Sequence, residues 1–134
     1  MQISTFGDLL DAAGSQASPQ RMLFVFVKTS IQKDASSDER ARFEAGGGGA
    51  LLPQFCVDLS PRDIPSFGAL VAEADQQSPD WDKVLVACMD APSSGSAKTI
   101  VDQALRAMIA RVQTGQTLSG YLCFERDGTP LLFE

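Results

Sequence analysis

The sequence predicts an α/β fold: a single domain over residues 1–134, with a five-stranded mixed, mostly parallel sheet, flanking helices and a C-terminal β-hairpin. Three observations carry that expectation. Apolar runs too short for helices recur at 21–28, 51–58 and 81–90. Stretches with helical spacing of apolar residues separate them. Asp127-Gly128 stands between two short apolar segments near the end of the chain, the signal of a tight hairpin.

Thr5-Phe6-Gly7-Asp8 reads as a capping box, and Phe6, Leu9, Leu10 and Ala13 follow at helical spacing, giving a first helix of about three turns. "RMLFVFVK", residues 21–28, is β-branched and aromatic, and its near-continuous apolarity predicts a strand buried on both faces. Ser36 to Glu39 repeats the capping pattern and opens a short helix that stops at the glycines 46–49. Without an adjoining Lys-Ser or Lys-Thr pair, that glycine run reads as helix stop and linker rather than an anion nest. "LLPQFCVD" is the second strand, with Pro53 near its start, where a missing N–H is tolerated.

Ser60-Pro61-Arg62-Asp63 combines an N-cap, a proline at the first helical position and an acid at the third. Pro65 interrupts that turn, and the helix resumes with Phe67, Leu70, Val71 and Ala74 on one face. "WDKVLVACMD" is the third strand. Residues 96–114 form the longest helix, with Val101, Ala104, Leu105, Met108 and Val112 as its apolar stripe and Gly115 as its end. Lys98, Asp102 and Arg106 stand four apart on its polar side. "YLCFERDGTPLLF" supplies the last two strands. Because helices separate strands two, three and four, crossovers would make them parallel, with strand one in the same sense and strand five antiparallel at an edge.

Composition narrows the function. Eleven Lys and Arg against seventeen Asp and Glu give a net charge of −6, with the basic residues scattered singly, so nucleic acid and anionic membranes are poor partners. The chain has no histidine, which excludes Ser-His-Asp, Cys-His and HExxH chemistry. Any catalysis would rest on carboxylates, Lys, Ser, Thr, Cys or Tyr121. No run is long and apolar enough to span a bilayer, and the first residues lack the basic start of a signal peptide, so a cytoplasmic location is expected.

Three strand ends share one pattern: Cys56-Val57-Asp58, Cys88-Met89-Asp90 and Cys123-Phe124-Glu125. A Cys and the acid two residues later share a strand face. In a parallel sheet the three thiols would form a layer beneath Asp58, Asp90 and Glu125, at the edge where open α/β folds bind ligands. With apolar neighbours and no CxxC spacing, the thiols read as buried and structural. The acids could hold Mg²⁺, although acids at strand ends also meet water or cap helices.

"MDAPSSGSAKTIVDQ", residues 89–103, follows on that same edge. Against the pattern GxxxxGK[ST] it matches only at Lys98 and Thr99, with Pro92 and Ala97 in place of both glycines, so it is no phosphate loop. A weaker anion site remains, with Ser93, Ser94 and Lys98 at the helix start, beside the plainer reading of a serine-rich cap.

The block from "RMLFVFVK" through "RARFEAGGGGALLPQFCVDLSP" to "FGALVAEA" and "WDKVLVA" resembles a family of small proteobacterial proteins of unassigned function, often labelled "ribonucleotide reductase subunit alpha". The resemblance implies a bacterial, cytoplasmic protein and brings no site residues. The label itself fits poorly, since such a subunit needs a far longer barrel, a radical-bearing thiol and a reducible cysteine pair. "YLCFERDGTPLLF" also looks like the last hairpin of thioredoxin-like proteins, but CxxC is absent and Gly120 stands where a proline belongs.

The leading functional expectation is therefore a non-enzymatic interaction or regulatory module, without a cofactor, that meets a protein partner or its own copies. The 30–50 segment and the C-terminal hairpin edge are its expected contact elements. The first alternative is a Mg²⁺-assisted binder or hydrolase of a phosphate-bearing small molecule, with Asp58, Asp90 and Glu125 on the metal and Ser93, Ser94 and Lys98 on the phosphate. The second is a redox-inactive thioredoxin-like protein or a thiol sensor using Cys56, Cys88 or Cys123.

Overall fold

Six consecutive side chains, Met22 to Val27, are each no more than 3% exposed, so the strand that carries them is covered on both faces. In the computed structural model, residues 5–30, 36–44, 50–92, 96–114 and 121–131 are described. Their elements are α1 (Phe6–Gly14), β1 (Gln20–Ser30), α2 (Ser37–Glu44), β2 (Ala50–Leu59), a 3-10 turn (Pro61–Asp63), α3 (Phe67–Gln77), β3 (Lys83–Asp90), α4 (Ala97–Thr114), β4 (Leu122–Glu125) and β5 (Pro130–Leu131).

Local chemistry places the helix starts. At α1 the Asp8 N–H donates to Thr5 Oγ1 at 3.1 Å, and the Thr5 N–H donates back to the Asp8 carboxylate at 3.2 Å. Ser36 and Glu39 cap α2 in the same reciprocal way. Ser60-Pro61 opens only the 3-10 turn. Helix α3 starts beyond Pro65, where Ser66 Oγ accepts from the Ala69 N–H at 3.1 Å.

The sheet order is β2-β1-β3-β4-β5 and every neighbouring pair is antiparallel. This overturns the mostly parallel sheet read from the sequence. The physical reason is the position of β1. That reading gave β1 and the helix-separated strands one direction, whereas β1 lies between β2 and β3 and pairs antiparallel with both. Strands β2 and β3 therefore share a direction without touching. Strand β4 then pairs antiparallel with β3, so its C-terminal end lies at the opposite end of the sheet.

Two apolar layers cover the sheet. On one face Met22, Phe24, Phe26, Val84, Val86 and Phe124 pack with α1 and α3 around an aromatic cluster. Phe26 stacks on Phe55 with ring centroids 4.5 Å apart and meets Trp81 edge-on at 4.9 Å. On the other face Leu23, Val25, Val27, Leu85 and Cys123 pack under Val101, Leu105, Met108 and Val112 of α4, the stripe predicted from their spacing. Gly128 turns the last hairpin at φ 91°, a conformation that side chains with a Cβ rarely adopt.

One side-chain lock ties the end of α3 to that hairpin. Arg126 donates to Asp75 Oδ2 at 2.8 Å and to the Trp81 carbonyl at 3.1 Å, and its guanidinium lies 4.3 Å from the centroid of the Trp81 ring. Trp81 Nε1 donates to the other Asp75 oxygen at 3.1 Å. Asp75 thus accepts from both the cation and the indole.

Candidate functional site

The register decides the fate of the three strand-end acids. Gln20 faces Asp90 and Leu23 faces Asp58, so those two carboxyls share the end of the sheet where β1 begins. Glu125 faces Lys83 at the other end. The expected trio of Asp58, Asp90 and Glu125 is therefore not assembled. Residues facing one another across a ladder share a face. Asp58 accordingly lies on the α4 side with Leu23, and Asp90 on the opposite side with Gln20.

The first two acids also have partners already. Arg21 Nε donates to Asp58 Oδ2 at 2.6 Å, and its Nη1 donates to Ser60 Oγ at 2.9 Å. Gln20 Nε2 donates to Asp90 Oδ1 at 2.7 Å. Among the described residues no group of three or more His, Cys, Asp or Glu is arranged to hold a metal ion.

Around Arg21 and Asp58 lies a cleft of about 470 Å³, lined also by Pro92, Lys98, Val101 and Asp102. Lys98 is exposed in the first turn of α4 and makes no ion pair among the described residues. Ser93 and Ser94, expected to complete an anion site with it, lie outside the described residues. Two cations and two carboxylates line this cleft, so it has no single sign of charge with which to select an ion.

The cysteine layer is not formed. Cys56 faces Val25 on the α4 side, Cys88 faces Met22 on the other side, and Cys123 faces Leu85 farther along the sheet. Cys56 and Cys88 are exposed, contrary to the expectation that all three are buried; only Cys123 is buried. Cys56 reaches the surface because β2 is an outer strand. Desolvation raises its thiol pKa, and the charges of Asp102 and Asp58 raise it further. Desolvation likewise raises that of Cys88. For Cys123, burial pushes the value up to about 12. All three shifts favour the thiol over the reactive thiolate.

The feature the sequence reading missed is the outer strand itself. The C-terminal hairpin, the expected contact edge, has Pro130 at the start of β5, whose described residues are Pro130 and Leu131. Strand β2 is the other edge, ten residues long and, among the described residues, paired only with β1. Pro53 and a shift of register between Phe26 and Val27 interrupt its first half. Its second half, Phe55 to Leu59, carries no proline and no lysine.

Beside that half runs a groove of about 290 Å³ between β2 and α3, lined chiefly by Phe26, Phe55, Val57, Leu70 and Ala74, with Glu73 at its rim. Two signals in the sequence point to this edge: a proline inside a strand, which is confined to sheet edges, and the alternation of Phe55, Val57 and Leu59, which marks a half-buried strand.

Comparison with known proteins found no matching family model, no matching curated protein and no matching solved structure. No helix among the described residues is long and apolar enough to cross a membrane.

Proposed function

We propose that this chain is a non-enzymatic interaction module of the cytoplasm that docks a protein partner, or a second copy of itself, along β2. One observation carries the reading: among the described residues, the second half of β2 pairs with no strand but β1 and lies beside an apolar groove. An antiparallel edge turns the N–H and C=O of every second residue outward, a ready template for another strand. Folded proteins usually blunt such edges with proline, lysine, a bulge or a very short strand. Strand β5 and the first half of β2 carry those devices. Residues 55–59 carry no proline, lysine or bulge, and their one charge, Asp58, is paired with Arg21.

The test is Cys56→Lys, which places a guard on an exposed edge position without disturbing the core. Complexes captured by the wild-type chain should slow amide exchange over residues 54–59, and the variant should lose both the complex and the protection while keeping its unfolding midpoint. A complex that the variant retains, or one that protects only other segments, would sink the proposal.

A further inference from the structure

We infer that the occupant of this edge is an extended peptide segment of a partner that alternates apolar residues and carries a Lys or Arg facing Glu73. This rests on the reading of β2 as the docking edge and adds the chemistry of what pairs with it. In a strand added outside β2, every second side chain points to the face that holds α3, and successive ones on that face stand about 7 Å apart. They would enter the groove whose floor is Phe26, Leu70 and Ala74. The backbone pairing supplies affinity and the groove selects the alternate side chains.

The size of the groove also matters. Its 290 Å³ lies at the bottom of the ~300–1,000 Å³ that small-molecule sites occupy, which suits inserted side chains better than a whole ligand.

The sign of the partner's charge comes from the rim. Glu73 is exposed, lines the groove and also lines its narrow continuation toward the 3-10 turn, where Asp63 joins it. Neither carboxylate makes an ion pair among the described residues. Arg62, next to Asp63 in the chain, lines a different cleft, beside Gly14 and Gln16. A basic residue on the docked strand therefore meets two carboxylates that have no ion pair among the described residues, and an acidic one is repelled. A second copy of this chain would bring its own Glu73 and Asp63 to the same edge, adding like charges to like.

The experiment is selection of random phage-displayed peptides on the full chain, followed by titration of the recovered peptides against wild-type and Glu73→Lys protein with amide exchange as the structural readout. The recovered sequences should alternate apolar residues around a Lys or Arg and should slow exchange at alternate residues of 54–59. Glu73→Lys should weaken them about fivefold at moderate salt. Peptides that protect β2 but carry no basic residue, or are indifferent to Glu73→Lys, would overturn the inference and leave the docking edge standing. So would self-association that protects the same amides without peptide. No β2 protection with any peptide or at any protein concentration would overturn both.

Discussion

Alkylation of the native chain should divide its three cysteines into two classes. Cys56 and Cys88 are exposed, one on an edge strand and one near the end of β3. Cys123 is 1% exposed, held between β3 and β5 under α4. A thiol at the ordinary value of 9.0 is about one-tenth ionised at pH 8, whereas one at about 12 is ionised in roughly one molecule in ten thousand. The thiolate is the nucleophile and its nucleophilicity rises partly with pKa, so Cys123 should react ~30-fold more slowly than an ordinary thiol, before burial restricts access further. Its labelling should then proceed through opening of the sheet and disappear under conditions that suppress unfolding. The assay is iodoacetamide labelling at pH 8 with peptide mapping, using the urea-unfolded chain to normalise intrinsic reactivity. If native Cys123 reacts within tenfold of Cys88, the placement of β4 between β3 and β5 is wrong. Rapid labelling of all three would also revive a thiol-sensing role for the chain.

Phe26 stacks on Phe55 and meets Trp81 edge-on, so Phe26→Ala should destabilise by ~3–5 kcal/mol and lower the urea midpoint by about 2 M for m near ~2 kcal/mol/M; a loss below ~1.5 kcal/mol would contradict the packing. The Arg126 hydrogen bond, then the Arg126 charge and the Trp81 hydrogen bond, hold the Asp75 carboxyl below its ordinary 3.8 against an opposing desolvation. A depressed acid contributes stability above its unfolded value and loses it as pH falls through the folded one. The gap in unfolding midpoint between wild type and Asp75→Asn should therefore be full above pH 5 and close below about pH 3.8, and a gap unchanged down to pH 2 would refute the coupling.

How much of the site was legible in the sequence turns on the range of each signal. Thr5 with Asp8, Ser36 with Glu39, and the stripe from Val101 to Val112 act within one or two helical turns, so spacing along the chain reveals them directly. The continuous apolar run from Met22 to Val27 likewise announces a strand covered on both faces. Pro53 was a local mark of an edge, read in the sequence only as tolerated near a strand start.

The assembly of Asp58, Asp90 and Glu125 depended instead on which strands are neighbours and in what direction. A helix between two strands does not settle that. The β2-to-β3 connection passes over β1, and the β3-to-β4 connection returns antiparallel. Residue inventory, caps and periodicity, including the absence of histidine and the net charge of −6, belong to the chain alone, because they are composition or contacts between near neighbours. The strand order, the dispersal of the acids and cysteines, and the groove beside β2 belong to the tertiary structure. There Arg21 meets Asp58 across 37 residues, and Phe26 meets Trp81 from a different strand and turn. Such pairings are chosen by the packing of the whole core rather than by any local pattern.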